Sequence, residues 1–412
     1  MLPTKSYTTE LLVFFFAATG GILYGYDIGI ISGALLFIRH DIMMSHQQES
    51  FLVASVLGGG AFATMVSGWL ADRFGRRKMI RIAALVFCVG VVIVVFAASF
   101  MAIFMGRLVQ GVGVGIITIV VPLYLAESVP SHLRGRGITM FQLLLTVGIL
   151  LATLVDFCLT QSGNWRLMFL SALVPGIIMF LGSFCLSDSP RWLCLKGREA
   201  DALTVLLNTR SADNAKTELE NIKMSMANAP GAKSKQGFFS LIMTRQYSMP
   251  VMIVFSVAVL AQLTGINTWL QFSAVMLKSM GLSHNASAMF GSTLITCLNV
   301  GMTIVALMFV DKVGRRPLLC IGTFGAASSL LLMAVVCYFV SPGFLKGSLM
   351  LMGLLCFITF FAVGPGVLIW VMISELLPSK IRSIGMATAL FLNSLTSTLL
   401  ASVFLTLVDH IG

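Results

Sequence analysis

Asp72-Arg73-Phe74-Gly75-Arg76-Arg77 returns 239 residues later as Asp311-Lys312-Val313-Gly314-Arg315-Arg316. Each copy follows one long apolar run and precedes another. Glu127, Pro130, Ser131, Arg134 and Gly137 return 248 residues later as Glu375, Pro378, Ser379, Arg382 and Gly385. One such match could be chance. Two, in the same order and at nearly the same offset, indicate a duplicated half. Gly25-Tyr26-Asp27 aligns with Gly265-Ile266-Asn267 at an offset of 240, so a carboxylate in one half answers an amide in the other. Parallel repeats of this kind describe two halves that rock around a site at the bilayer midplane.

The composition requires a bilayer. Of 412 residues, 58% are hydrophobic and only 10% charged, whereas a soluble domain carries about 25% charged residues. The apolar runs last roughly 20 residues, long enough for a helix to cross the hydrocarbon. They are continuous, not the alternating stretches of about 10 residues that build a membrane barrel. With boundaries good to a few residues, the spans fall at about 11–36, 51–71, 79–99, 101–125, 138–160 and 166–186. After a polar segment they resume at about 250–277, 287–310, 317–340, 347–375 and 383–408. The chain therefore divides into an N-terminal six-helix bundle (1–186), a cytoplasmic loop with short helices (187–248) and a C-terminal bundle of five helices (249–412). A duplicated fold predicts a twelfth span, so the last helix is expected to be missing from this chain.

The net charge of +11 does not mean nucleic acid, because its distribution follows the membrane. Lys5, Arg73, Arg76, Arg77, Lys78, Arg81, Arg134, Arg136, Lys312, Arg315, Arg316, Lys380 and Arg382 share one side of the spans. The other side carries only Arg39, Arg166, Lys278 and Lys346. Lys and Arg accumulate on the cytoplasmic side, which puts the N-terminus in the cytoplasm. The first apolar run is too long for a cleavable signal peptide and reads as a retained helix. Almost all of the eight cysteines, among them Cys88, Cys158, Cys297, Cys337 and Cys356, lie in apolar segments, and none has CxxC spacing. No disulfide framework or zinc site is expected. The five His are scattered in loops or at ends, so no metal site and no cofactor are expected. No combination of nucleophile, base and orienting group is present either, so the chain is not read as an enzyme.

Asp27 lies inside the first span, where an ionisable group is expensive and usually functional. Burial favours the neutral form of an acid, while a nearby cation favours the ionised one. Arg107, inside the fourth span, is the basic residue at comparable depth. If the two pair in one state and separate in another, Asp27 gains or loses a proton as the protein alternates. The plain alternative is a static ion pair holding two helices. The repeated acids and bases, Asp72, Arg76, Arg77, Glu127 and Arg134 with Asp311, Arg315, Arg316, Glu375 and Arg382, fit a charge network that latches one side. They also fit simple anchoring by positive charge. Gly75 and Gly314 fit tight turns that need a positive φ. Gly111-Val-Gly-Val-Gly115 lies within a span and lacks the strand-then-helix context of a phosphate loop; small residues there let helices approach. Gln142, Gln262, Asn267 and Asn299 are amides in mid-span. Amides offer paired donors and acceptors without charge, as hydroxyl-rich ligands require. Trp370 offers a flat aromatic face. Bonding between helices for the amides and an interfacial position for the Trp are the alternatives.

Taken in order, these motifs resemble the sugar porter family of the major facilitator superfamily, which includes bacterial xylose, galactose and arabinose proton symporters. The resemblance rests on the segment from Gly25 to Ala34, on Asp72 to Lys78, on Gly106-Arg107 with Gly111 to Gly115, and on Pro122-Leu-Tyr-Leu-Ala-Glu127. It continues through Ser189-Pro190-Arg191-Trp192-Leu193, Gln262-Leu-Thr-Gly-Ile-Asn267, Val310 to Pro317, and Gly364-Pro365-Gly366 with Trp370. It implies an all-α membrane protein of two six-helix halves that imports a monosaccharide, pentose or hexose, together with a proton. It assigns the proton site to Asp27 with Arg107 as partner. It assigns the sugar to Gln142, Gln262, Asn267, Asn299, Trp370 and Asn393. It also implies a monomer in a bacterial inner membrane, with monosaccharide, proton and lipid as partners. The sequence departs from the family where Ala261 precedes Gln262, where Gln271 and Phe272 replace two Tyr, and where Ser394 replaces a Trp. Ser187-Asp188-Ser189-Pro190-Arg191 differs from the usual Pro-Glu-Ser-Pro-Arg by a conservative exchange of acids. A facilitator without a proton, a membrane sugar sensor and an inactive truncated transporter remain the rival readings. Asp27 and the short tails speak against the first two.

Overall fold

The computed structural model describes residues 4–128, 134–208, 210–227, 245–282, 284–341, 343–377 and 382–411. Among them, eleven helical stretches are long and apolar enough to cross a membrane. The chain is a multi-pass membrane protein. The first six spans are α1 (Thr4–Asp41), α2 (His46–Phe74), α3 (Arg76–Val95), α4 (Phe100–Ser128), α5 (Arg134–Leu159) and the stacked pair α6 (Trp165–Ser171) and α7 (Leu173–Gly182). Three short helices follow, α8 (Pro190–Leu195), α9 (Glu199–Leu207) and α10 (Ala212–Ala227). The second half runs through α11 (Arg245–Leu263), α12 (Ile266–Ser279), α13 (Asn285–Val313), α14 (Arg315–Phe339), α15 (Phe344–Phe361), α16 (Val367–Leu376) and α17 (Arg382–Ile411). Within lipid only a helix satisfies its own backbone groups, which explains why nearly every described residue of the spans is helical.

The spans alternate in direction, so their ends gather on two faces. The basic face carries the α2–α3 and α13–α14 turns. These turns are made by Gly75 at φ 92° and Gly314 at φ 91°, in the positive-φ region expected of them. Gly75 alone separates two helices that reverse direction there. On the opposite face Trp165 Nε1 and Arg166 Nη1 both donate to Asp41 Oδ2 at 2.8 Å, and Arg39 pairs with the buried Glu49. Inside each bundle, glycines let backbones touch. A Cβ on Gly25 of α1 would lie 1.8 Å from the carbonyl oxygen of Leu145 on α5, and one on Gly111 of α4 would lie 2.1 Å from that of Val56 on α2. The Gly111–Gly115 stretch is thus a close helix crossing.

Two spans of the C-terminal half are broken where the sequence suggested continuous runs. The span at about 250–277 stops at Leu263 and restarts at Ile266, with Gly265 left-handed at φ 77°. The span at about 347–375 contains a π turn over Ala362–Gly366, with Pro365 inside it. A π turn widens the helix by a residue, and Pro365 has no N–H to give the regular ladder. Their N-terminal counterparts, α1 and α4, run through without interruption. The span at about 166–186 is shorter than expected and ends at Gly182.

The three short helices form a small cluster of their own. Trp192, Leu193, Cys194 and Ala202 are buried against Val205, Leu219, Ile222 and Met226. Ser189 caps α8 by accepting from Trp192 N at 3.2 Å, an N-cap preference with a clear donor. Arg210 pairs with Glu218 at 3.0 Å, and Lys223 with Glu199.

The halves touch away from the basic face. Ser32 Oγ of α1 lies 3.0 Å from Ser273 Oγ of α12 and 3.2 Å from Ser292 Oγ of α13. Thr153 Oγ1 of α5 lies 2.8 Å from Thr296 Oγ1 of α13. Leu405 N of α17 lies 3.3 Å from Ser50 Oγ of α2. These hydroxyls form a seam in the part of the molecule nearer the opposite face.

Candidate transport site

Asp27 projects from the middle of α1 toward α4. Its Oδ1 accepts from Arg107 Nη1 at 2.7 Å, with the side chains 1% and 0% exposed. The same Nη1 donates to Gln110 Oε1 at 3.1 Å, one turn further along α4. The guanidinium also stands over the Phe169 ring of α6, 5.5 Å from its centroid, a geometry in which the ring face attracts the cation. Asp27 Oδ2, Arg107 Nε and Nη2, and Gln110 Nε2 are buried without a hydrogen-bond partner among the described residues. A buried pair with unspent donors and acceptors is costly. It is poorly suited to be a mere staple, because its bonding capacity is only partly used.

Tyr24 and Ile28, on either side of Asp27 along α1, line a central cavity between the halves. It encloses about 850 Å³, its mouth and open solvent included. Gln142, Gln262, Asn267, Asn299 and Asn393 all line it. The structure therefore brings together from four spans the amides singled out in the sequence. Three of them are already bonded to one another. Gln262 Nε2 donates to Asn393 Oδ1 at 3.1 Å, and Asn267 Nδ2 donates to Gln262 Oε1 at 3.2 Å and to Ser397 Oγ at 3.0 Å. Asn393 Nδ2 donates to the carbonyl oxygen of Ala258 at 3.0 Å. The network fixes the amide orientations. Gln142 Oε1, across the cavity on α5, has no partner among the described residues. The break at Gly265 starts α12 beside the cavity and puts Asn267 in its first turn.

The cavity wall also contains residues that the sequence reading passed over. Thr146 follows Gln142 by four residues on α5, and Thr303 follows Asn299 by four on α13. Residues four apart share a helix face, so the amides themselves pointed to these hydroxyls. Thr118, Tyr24 and Ser394 complete the polar part of the wall. Ser394, where the resemblance leads one to expect a bulky aromatic, presents a small side chain to the cavity. Of the other departures, Gln271 and Phe272 are buried and lie outside the lining. Gln110 and Asp156, both wholly buried in spans, were also missed. A polar or ionisable residue within a span was signal enough to find them.

Near the basic face, Arg76 is 3% exposed and lies 2.8 Å from Asp72 Oδ1 and 2.9 Å from Glu127 Oε2. Ser189 Oγ donates to the same Glu127 Oε2 at 2.5 Å, and Trp192 Nε1 donates to Asp72 O at 3.0 Å. Arg77 donates to the carbonyl oxygens of Ser183 and Phe184 at 3.3 and 2.7 Å. These bonds tie the ends of α2, α3, α4 and α7 to α8, all within the N-terminal half and its following loop. In the second half, Arg315 is half-buried and Arg316 exposed. The side chains of Arg134, Asp311, Trp370, Glu375 and Arg382 lie outside the described residues.

Residues 13–412 match the family model described as "Sugar (and other) transporter". The chain belongs to this family. It is a transporter, not an enzyme. The galactose-proton symporter of Escherichia coli (strain K12) is 32% identical over 402 residues, covering 97% of this chain and 85% of that protein. The glucose transporter GlcP of Staphylococcus epidermidis is 35% identical over 398 residues, covering 96% and 86%. The D-xylose transporter of Levilactobacillus brevis is 32% identical over 405 residues, covering 97% and 87%. Among solved structures, the proton:xylose symporter XylE bound to 6-bromo-6-deoxy-D-glucose superposes with a TM-score of 0.82 at 26% identity, over 98% of this chain and 90% of that one. The fold of this sugar transporter is that of the major facilitator superfamily.

Proposed function

We propose that this chain carries a monosaccharide, pentose or hexose, across the membrane together with a proton. One juxtaposition supports the reading above all others. Asp27, the acid paired with Arg107, stands between two residues, Tyr24 and Ile28, that line the amide-walled cavity. A change of charge on Asp27 therefore reaches the cavity through a single helical turn. Relatives named as galactose-proton and arabinose-proton symporters support the same coupling.

In this mechanism Gln142 on one half and Gln262, Asn267, Asn299 and Asn393 on the other bond the sugar hydroxyls, with Trp370 against the ring. Proton uptake by Asp27 cancels its charge and releases Arg107, which keeps Gln110 Oε1 as an acceptor. The halves then rock about the site. Asp72, Arg76, Arg77, Glu127 and Arg134, with Asp311, Arg315, Arg316, Glu375 and Arg382, form the network that closes the basic side in the alternate state. The basic face lies in the cytoplasm, as positive charge dictates, with the N-terminus inside. The protein works as a monomer in the bacterial plasma membrane.

Labelled-sugar uptake into proteoliposomes, with and without an inward proton gradient, tests the proposal. Symport concentrates sugar only with the gradient. Equilibration regardless of the gradient would make the protein a facilitator. No uptake across a panel of pentoses and hexoses would make it inactive or assign it another substrate.

A further inference from the structure

A second acid is buried in the N-terminal half, away from the pair. Asp156 is 0% exposed near the end of α5. Its Oδ2 accepts from the backbone N–H of Gly33 on α1 at 3.1 Å. The approach is so close that a Cβ at Gly33 would lie 2.5 Å from this oxygen. Its Oδ1 is buried with no hydrogen-bond partner among the described residues.

No cation faces it among the described residues. Its surroundings offer the Gly33 amide from α1, with Tyr26 of the same helix nearby. Tyr26 is bonded to Ser171 of α6 at 2.7 Å. From α13 come Thr293 and Thr296, which meet Thr153 one turn before Asp156 on α5, and Phe290, whose ring packs on Phe157. Arg107 on α4 is held by Asp27. An ionised carboxylate in such a place would have one neutral donor and no counter-charge. Proteins avoid this by neutralising the group.

The neighbours of Asp156 are the residues that close the seam. Gly33 follows Ser32, which meets Ser273 and Ser292, and Thr153 meets Thr296. Any motion that parts α1 and α5 from α12 and α13 on this side brings water toward Asp156. Water would solvate the carboxylate and remove the reason for neutrality.

We propose that Asp156 is a second proton-binding site, neutral while the seam between the halves is closed and ionised when the seam opens to the water on that side. Because the proton is bound more tightly in the closed form, acid on that side favours closure, by the reciprocity of linked equilibria. The proton returns to the side from which it came. The site therefore senses pH and does not add to the protons carried per sugar. The inference rests on the alternating-access reading, but its test reads protonation directly and uses neither sugar nor transport.

Infrared spectroscopy of the reconstituted protein at neutral pH reports the carbonyl stretch of protonated carboxylic acids. Asp156→Asn should remove a component of that band which Asp27→Asn leaves in place. A band unchanged in Asp156→Asn overturns the site. If the Asn variant does not fold, Asp27→Asn protein grown with carbon-13 aspartate answers the same question. Asp27 and Asp156 are the buried aspartates among the described residues, so an isotope-shifted band should remain, and its absence overturns the site. Ser273→Trp, which cannot fit the closed seam, should weaken the component at neutral pH, with recovery on acidification. An undiminished component in that variant overturns the link to the seam.

Discussion

Asp27 Oδ1 and Gln110 Oε1 share one nitrogen of Arg107, at 2.7 and 3.1 Å. The guanidinium therefore has a neutral acceptor in place before the acid changes charge. Asp27→Asn should fold and retain exchange of sugar across the membrane, because Gln110 still holds Arg107. It should lose accumulation driven by a proton gradient. Arg107→Leu should be more destabilising, because it removes the guanidinium's contacts with Asp27, Gln110 and the Phe169 ring at once, while the freed Asp27 neutralises by protonation. Thermal unfolding of the two purified variants, read beside gradient-driven uptake, separates these outcomes. Equal destabilisation of both would contradict the arrangement.

The bonded amides of the cavity should not be equal in weight. Gln262 both donates to Asn393 and accepts from Asn267. Gln262→Ala should weaken sugar binding by about 1–3 kcal/mol, roughly 5- to 150-fold. Ser397→Ala, one bond removed from the cavity wall, should cost less. Equilibrium binding of a labelled sugar to detergent-solubilised protein gives the ranking, and a larger loss in the Ser397 variant would reverse it.

Ser394 leaves room in the wall where an indole could stand. Ser394→Trp should shrink the cavity and discriminate against the larger sugars, lowering hexose competition relative to pentose in an uptake assay. If hexose and pentose competition fall together, the residue does not set size.

The two glycine turns on the basic face should respond differently to alanine. Both have φ near 90°, which costs a side chain of order 1–3 kcal/mol. A Cβ at Gly75 would also meet the Trp192 ring at 3.1 Å, whereas one at Gly314 meets nothing nearer than Pro317 at 4.0 Å. Gly75→Ala should therefore lower the unfolding midpoint more than Gly314→Ala. The opposite order would mean that α8 does not bear on the turn.

What the sequence disclosed depended on how strongly each feature is written in residue type. Eleven apolar runs and a repeated Asp-x-x-Gly-Arg-Arg motif left little choice of fold. Amides in mid-span stood out because few polar residues surround them. The breaks at Gly265 and over Ala362–Gly366 did not show, because glycine is common in membrane helices and most glycines here only bring helices close. The hydroxyl seam was equally silent. A serine in an apolar helix can bond its own preceding turn, as Ser273 Oγ does with Leu270 O at 3.1 Å, so its type alone does not say that it reaches Ser32 on another bundle. Asp156 is legible as an acid inside a span, but no basic residue at its depth marks it as Arg107 marks Asp27.

The interruptions at Gly265 and Ala362–Gly366 lie in the second half, which also carries the bonded amides, while the ion pair of the first half sits on α1 and α4, which run unbroken. The sequence repeat thus reads as two halves with different tasks, the first a frame that keeps the charged pair and the second a jaw that keeps the bonded amides. Such a division of labour lets drift in the jaw retune ligand choice without disturbing the frame. A chimera that joins this N-terminal half to the C-terminal half of a relative should inherit its taste from the newcomer and its energetics from the host.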